Sequence, residues 1–202
     1  MAETIAHLPY LAAKEPLYRE AYFRAMDALQ APVYEKLADA VYARLKPSSV
    51  IDVGCGTGRL LAALAARGVS VRGIEGSRHA IAMSPIRDRI SRCNLERGVP
   101  YVGRFDVCFC IEVAEHLPPR CASPLVDGLA AMSDLVVFSA APPGQRGSHH
   151  VNLRPQADWI AAFQTQDFLL SDLTYELKSA IADADSEAKY IERNLMVFTS
   201  QR

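Results

Sequence analysis

Val50-Ile51-Asp52-Val53-Gly54-Cys55-Gly56-Thr57-Gly58 is the stretch whose reading decides the fold. A short apolar run ends in an acid, and three glycines follow at alternate positions. After a helical segment from about Gly58 to Arg67 comes a second apolar run, Val71-Arg72-Gly73-Ile74, ending in Glu75. This layout predicts a strand, a tight turn, a helix and a second strand. Glycine lacks Cβ, so the turn can adopt positive φ and let a ligand lie against bare backbone. The helix that follows aims its first amides at the same place. An acid at the tip of the second strand can accept hydrogen bonds from both hydroxyls of a ribose. The stretch therefore points to a nucleoside-containing ligand.

Dinucleotide sites usually carry G-x-G-x-x-G, with helix amides facing a pyrophosphate. Here the spacing is G-x-G-x-G, with Asp52 two residues before the first glycine. The pattern resembles motif I of the class I S-adenosylmethionine (SAM)-dependent methyltransferases, whose loop holds a methionine moiety instead of phosphates. A second stretch, Phe105-Asp106 through Ile111-Glu112-Val113-Ala114-Glu115-His116-Leu117-Pro118, resembles the same family's fourth strand and the acidic segment after it. The resemblance implies a Rossmann-like α/β fold, a mostly parallel seven-stranded sheet with a terminal antiparallel strand and helices on both faces. It also implies SAM as cofactor. The residues it assigns to that cofactor are Asp52, Gly54, Cys55, Gly56, Gly58, Glu75, Gly76, Asn94, Leu95, Ile111 and Glu112. Asn94-Leu95 stands where the family commonly has Asp-Leu against the adenine.

Outward from these motifs, the pattern agrees with a chain of alternating strands and helices, which implies a parallel sheet covered on both faces. Strands are expected near 50–53, 69–75, 89–93, 105–111 and 135–138, with terminal strands at 168–173 and 195–199. The stretch between the last two also reads as a continued helix, through Leu173, Leu177 and Ile181. A helix from about Pro16 to Leu29 should stop at Pro32. A second, with Val33, Leu37, Val41 and Leu45 on one stripe, should run to Leu45. Pro155 should open a helix reaching Gln164. No repeat or linker interrupts residues 1–202, so the expectation is one domain, with helices in 1–46 covering part of the substrate site.

Composition narrows the partners. Half of the 202 residues are hydrophobic, enough for one core of ordinary size, and the net charge of −1 gives no field for DNA or a membrane surface. The N-terminus does not read as a signal segment, and no apolar run approaches a membrane span. Cys55, Cys93, Cys108, Cys110 and Cys121 lack metal-type spacing and read as reduced, mostly buried thiols of a cytoplasmic protein.

The segment from Phe138 to Asn152, followed by Trp159, resembles a bacterial subgroup of small methyltransferases with a G-H-V-N loop, in which His150 and Asn152 match the H and N. The resemblance implies a sugar, glycan or small-metabolite acceptor. Methyl transfer to a hydroxyl requires placement and removal of a proton. Two mechanisms fit. In one, His150 or His149 is the base, with Glu112 beside it. In the other, Glu112, Glu115, His116 and His150 gather Mg²⁺, Mn²⁺ or Fe²⁺. The second follows the likeness of Glu112…Glu115-His116 to the metal-binding run of small-RNA 2′-O-methyltransferases and ubiquinone-pathway O-methyltransferases. Metal-assisted methylation of an RNA ribose, or a non-catalytic SAM-binding subunit, are the alternative functions. Trp159 reads as a core anchor, and His7 and His79 carry no pattern.

Overall fold

The computed structural model describes residues 18–202. Seven strands form one sheet in the order β3-β2-β1-β4-β5-β7-β6. They are β1 (Ser49–Val53), β2 (Ser70–Glu75), β3 (Ile90–Arg92), β4 (Val107–Ile111), β5 (Leu135–Ser139), β6 (Phe168–Leu170) and β7 (Met196–Ser200). β7 runs antiparallel to both β5 and β6, and the pairings among β1 to β5 are parallel. This is the predicted class I methyltransferase sheet.

The helices are α1 (Glu20–Leu45), α2 (Arg59–Ala66), α3 (Arg78–Met83), α4 (Ala122–Met132), α5 (Gln156–Gln164), α6 (Leu173–Ile181) and α7 (Lys189–Asn194). Two apolar layers sandwich the sheet. One holds Leu37, Val41, Leu60, Leu64, Leu177 and Ile191. The other holds Ile51, Leu125, Leu129, Trp159, Phe163 and Phe198. Trp159 is 1% exposed with its ring 5.0 Å from Phe138, so it is the core anchor the sequence suggested. Cys108 and Cys110 face that same layer, and all five cysteines are free thiols. Asp106 accepts from the Ser48 and Ser49 amides at 2.6 and 3.0 Å, clasping the starts of β4 and β1.

Two expectations are corrected. Pro32 does not end a helix, because α1 passes through it unbroken. The missing proline amide removes one helical hydrogen bond, and burial of Phe23, Val33, Leu37 and Val41 along the same helix outweighs that loss. The part of the first predicted helix before residue 18 lies outside the described residues, as does His7. The strand expected over 168–173 ends at Leu170, and the ambiguous Leu173–Ile181 stretch is helix α6. Among the described residues no helix is long and apolar enough to cross a membrane.

Candidate active site

The pocket opens beyond the carboxyl ends of β1, β2 and β4, where open α/β sheets bind ligands. The glycine turn after β1 has φ of +81°, +56° and +74° at Gly54, Gly56 and Gly58. At Gly54 a Cβ would lie 2.5 Å from Val113 Cγ2, so both conformation and space demand glycine. Glu75, at the tip of β2, accepts from the Gly56 amide at 2.8 Å and the Ser77 amide at 2.7 Å. One carboxylate thus ties the glycine turn to the loop after β2. Burial raises its pKa, while these amide bonds pull the other way.

Asp52 is 5% exposed, and one of its oxygens is buried without a hydrogen-bond partner. Burial, then the Glu75 charge, pushes its pKa up to about 7. A bound cation beside it favours the ionised form and lowers that pKa. Binding of the SAM cation should therefore release a proton below pH 7. The expected outcome is an affinity that rises as pH climbs through about 5 to 7 and is level above. Calorimetry in buffers of different ionisation enthalpy checks it, and Asp52→Asn should flatten the profile.

Of the other residues expected at the cofactor, Cys55, Gly76, Asn94, Leu95, Ile111 and Glu112 all line the pocket. Gly58 instead caps α2 and backs onto Ile86 and Ser84. The Asn94 side-chain oxygen accepts from the Glu96 amide at 3.1 Å, committing it to the turn after β3. The pocket also has contributors that the motifs did not announce. Tyr18, Tyr22, Phe23, Met26, Asp27 and Gln30 reach it from the N-terminal segment. Asp27 accepts from Thr57 Oγ1 at 2.5 Å and from Arg59 Nε at 3.0 Å, pinning α1 across the glycine turn.

At the Glu112 and His116 end of the pocket lie the other acids and histidines. Glu112 leaves β4 with φ +54°, and its amide donates to the Ser139 carbonyl at 3.0 Å. This left-handed kink turns its carboxylate toward Asn194 Nδ2 at 3.0 Å and Gln145 Nε2 at 3.2 Å. Asn194, at the C-terminus of α7, also donates to Gln145 Oε1 at 3.0 Å. No local motif marks Asn194, which lies 82 positions from its partner.

Glu115 and His116 sit in the single turn Ala114–His116 after β4. The Glu115 carbonyl accepts from the Val151 and Asn152 amides at 2.8 and 3.1 Å, and Asn152 Nδ2 donates to the Ala114 carbonyl at 3.2 Å. These bonds fasten the 142–152 loop to the turn and carry His150 to it. The His116 and His150 rings meet edge to face, 5.1 Å apart, and His150 Nδ1 lies 3.2 Å from the Gln145 carbonyl. Gly147 makes room for the imidazole, since a Cβ there would lie 2.1 Å from His150 Nε2.

Glu115, His116 and His150 each offer a ligand atom within 4.8 Å of the others. Glu112 is not in that group, and His149 is exposed, its ring 6.3 Å from Tyr18. The Glu115 carboxylate is fully buried, and neither oxygen receives a well-formed hydrogen bond. Its nearest polar neighbours include the Glu112 carboxyl and the Ala141 amide. Burial, then Glu112, holds its pKa well above the usual carboxylate range.

A glycine turn tied to a strand-tip glutamate on a β3-β2-β1-β4-β5-β7-β6 sheet defines a class I methyltransferase fold. A family model described as a methyltransferase domain matches residues 18–133, and the chain belongs to that family. Methyl transfer is that family's class of reaction and SAM its methyl donor. The chain is 35% identical over 86 residues to the ubiquinone biosynthesis O-methyltransferase of Pseudomonas paraeruginosa, a match covering 38% of this chain and 36% of that enzyme. It thus matches little more than a third of that relative's length. Its fold is similar to a SAM-bound amino pentose methyltransferase from Micromonospora echinaspora, with TM-score 0.65, 17% identity, and 90% of this chain and 96% of that one covered. It is also similar to the magnesium protoporphyrin IX methyltransferase of Synechocystis PCC 6803, with TM-score 0.61, 18% identity and 84% of each chain covered.

Proposed function

We propose that the chain methylates a hydroxyl oxygen of a sugar, glycan or small metabolite, and that Glu115, His116 and His150 hold a divalent cation beside that hydroxyl. The observation that carries this reading is the Glu115 carboxylate, fully buried without a well-formed hydrogen bond and within 4.8 Å of two imidazole nitrogens. A carboxylate left so is costly unless something cationic joins it. One carboxylate and two imidazoles suit Mn²⁺ or Fe²⁺ better than Mg²⁺. Oxygen as the acceptor atom is supported by the O-methyltransferase relatives.

A divalent ion bound there supplies a Lewis acid that brings a hydroxyl's pKa toward neutrality. The remaining work belongs to the protein. Glu75 and the glycine turn fix the nucleoside, and Glu112, clamped by Asn194 and Gln145, presents its carboxylate at the methionine end. Placing donor and acceptor in line can contribute about 7–11 kcal/mol. The Gln145 carbonyl fixes the His150 ring by accepting a hydrogen bond from Nδ1–H, which leaves Nε2 the basic nitrogen. The same geometry lets Nε2 take the hydroxyl proton directly, which is the second reading. Asp52, Glu75 and Glu112 line the pocket, and Arg59, paired with Asp27, is the one arginine or lysine among the described lining residues. This field disfavours phosphorylated or carboxylated acceptors.

Titration with Mn²⁺ followed by electron paramagnetic resonance tests the ion reading. The expected result is one ion per chain, abolished in His150→Ala. Gly147→Ala should weaken it at least tenfold, because the new methyl group displaces the imidazole while φ at that site is unstrained. Absence of stoichiometric Mn²⁺ would leave His150 as base.

A further inference from the structure

Tyr18 touches three parts of the site at once. Its hydroxyl lies 3.3 Å from His116 Nδ1, and its carbonyl accepts from Ser77 Oγ, in the loop after β2, at 3.4 Å. Its ring packs edge to face on Tyr22 at 5.2 Å and on His116 at 6.2 Å. No motif or family pattern assigns it a role.

We propose that Tyr18 is a positioning residue for His116, its hydroxyl oxygen receiving the Nδ1–H and so making Nε2 the nitrogen that ligates the cation. The inference rests on the ion reading above for its purpose, though not for its geometry. Imidazoles that ligate metals commonly donate their other N–H to such a partner, which fixes both tautomer and ring plane. With Nδ1 engaged by Tyr18, Nε2 is the nitrogen left to meet a cation, and it can do so only as the unprotonated nitrogen, which requires the proton on Nδ1. One consequence is that the N-terminal cover and the ion site assemble together, because the cover's first described residue holds a ligand of the ion.

The test is the long-range ¹H–¹⁵N spectrum of the histidine rings in the ion-free full chain, with His116→Gln used for assignment. The expected result is His116 in the Nδ1–H form, reverting toward the Nε2–H form of free imidazole in Tyr18→Phe. That variant keeps the ring and its packing. Its Mn²⁺ affinity should fall about 10- to 100-fold, the usual effect of removing such a partner. A wild-type His116 already in the Nε2–H form would overturn the proposal. So would a Tyr18→Phe variant whose tautomer and Mn²⁺ affinity both match wild type. A wild type that binds no Mn²⁺ would overturn the ion reading alone, since the ring spectrum still decides what Tyr18 does.

Discussion

Glu75→Gln will weaken binding of S-adenosylhomocysteine by about 100-fold, equivalent to about 2.8 kcal/mol. The product is the better probe, because its affinity is free of turnover. The carboxylate accepts two backbone amides, from Gly56 and Ser77, and in the proposed site its remaining lone pairs meet the ribose hydroxyls. Glutamine is nearly isosteric but has one oxygen. In either orientation its NH₂ group faces an amide donor, and one buried donor loses its acceptor at a cost of about 1–3 kcal/mol. The ribose loses a charge-assisted bond as well. Calorimetric titration measures the change directly. An affinity within threefold of wild type would mean that the ribose is held elsewhere.

Glu115→Gln should separate stability from function. In EDTA at pH 8 the variant is expected to be more stable than wild type by about 1–3 kcal/mol, because it removes a buried acid set against the Glu112 carboxyl. The pH dependence gives the sign. Glu115 has a folded-state pKa raised above its unfolded value near 4.3. The unfolded chain therefore releases that proton first, and wild-type stability falls as pH rises from about 4.3 through the raised value. The advantage of the variant should shrink toward pH 4.5 and grow toward pH 8. Saturating Mn²⁺ should invert the order, since an ion at 100 times its dissociation constant stabilises by about 2.7 kcal/mol. Thermal melts in EDTA and in Mn²⁺, at both pH values, check all three statements. Methyl transfer by the variant should drop at least 100-fold.

The sheet and the cofactor turn were legible because their signals are local. Three glycines and an acid at fixed spacing specify strand, turn, helix and strand without reference to the rest of the chain. Trp159 and the paired cysteines of β4 were legible because alternation and bulk define a buried face. Pro32 misled because a local rule lost to tertiary packing, with α1 held on both sides of the proline by buried residues and by the Asp27 and Gln30 bonds. The boundary of β6 was ambiguous because an apolar run of that length suits a strand or a helix.

The catalytic end was only half legible. Glu115, His116 and His150 do come together, but Glu112, from the same motif, lies outside that group and is held by Asn194 and Gln145. That outcome depends on residues 33 and 82 positions distant, which no spacing rule connects. Asp27 is equally silent in sequence, because its role comes from where α1 crosses the pocket. Asp106 and Asn152 have structural tasks, clasping β4 to β1 and the histidine loop to the turn after β4.

Transfer of tritiated methyl from SAM into fractionated cell extract, with and without EDTA, tests the central claim most directly. The account predicts label on a hydroxyl in the glycan or small-molecule pool, lost in EDTA, restored by Mn²⁺ and absent with Glu115→Gln. Label that is indifferent to EDTA and undiminished in Glu115→Gln would contradict it, as would label confined to RNA.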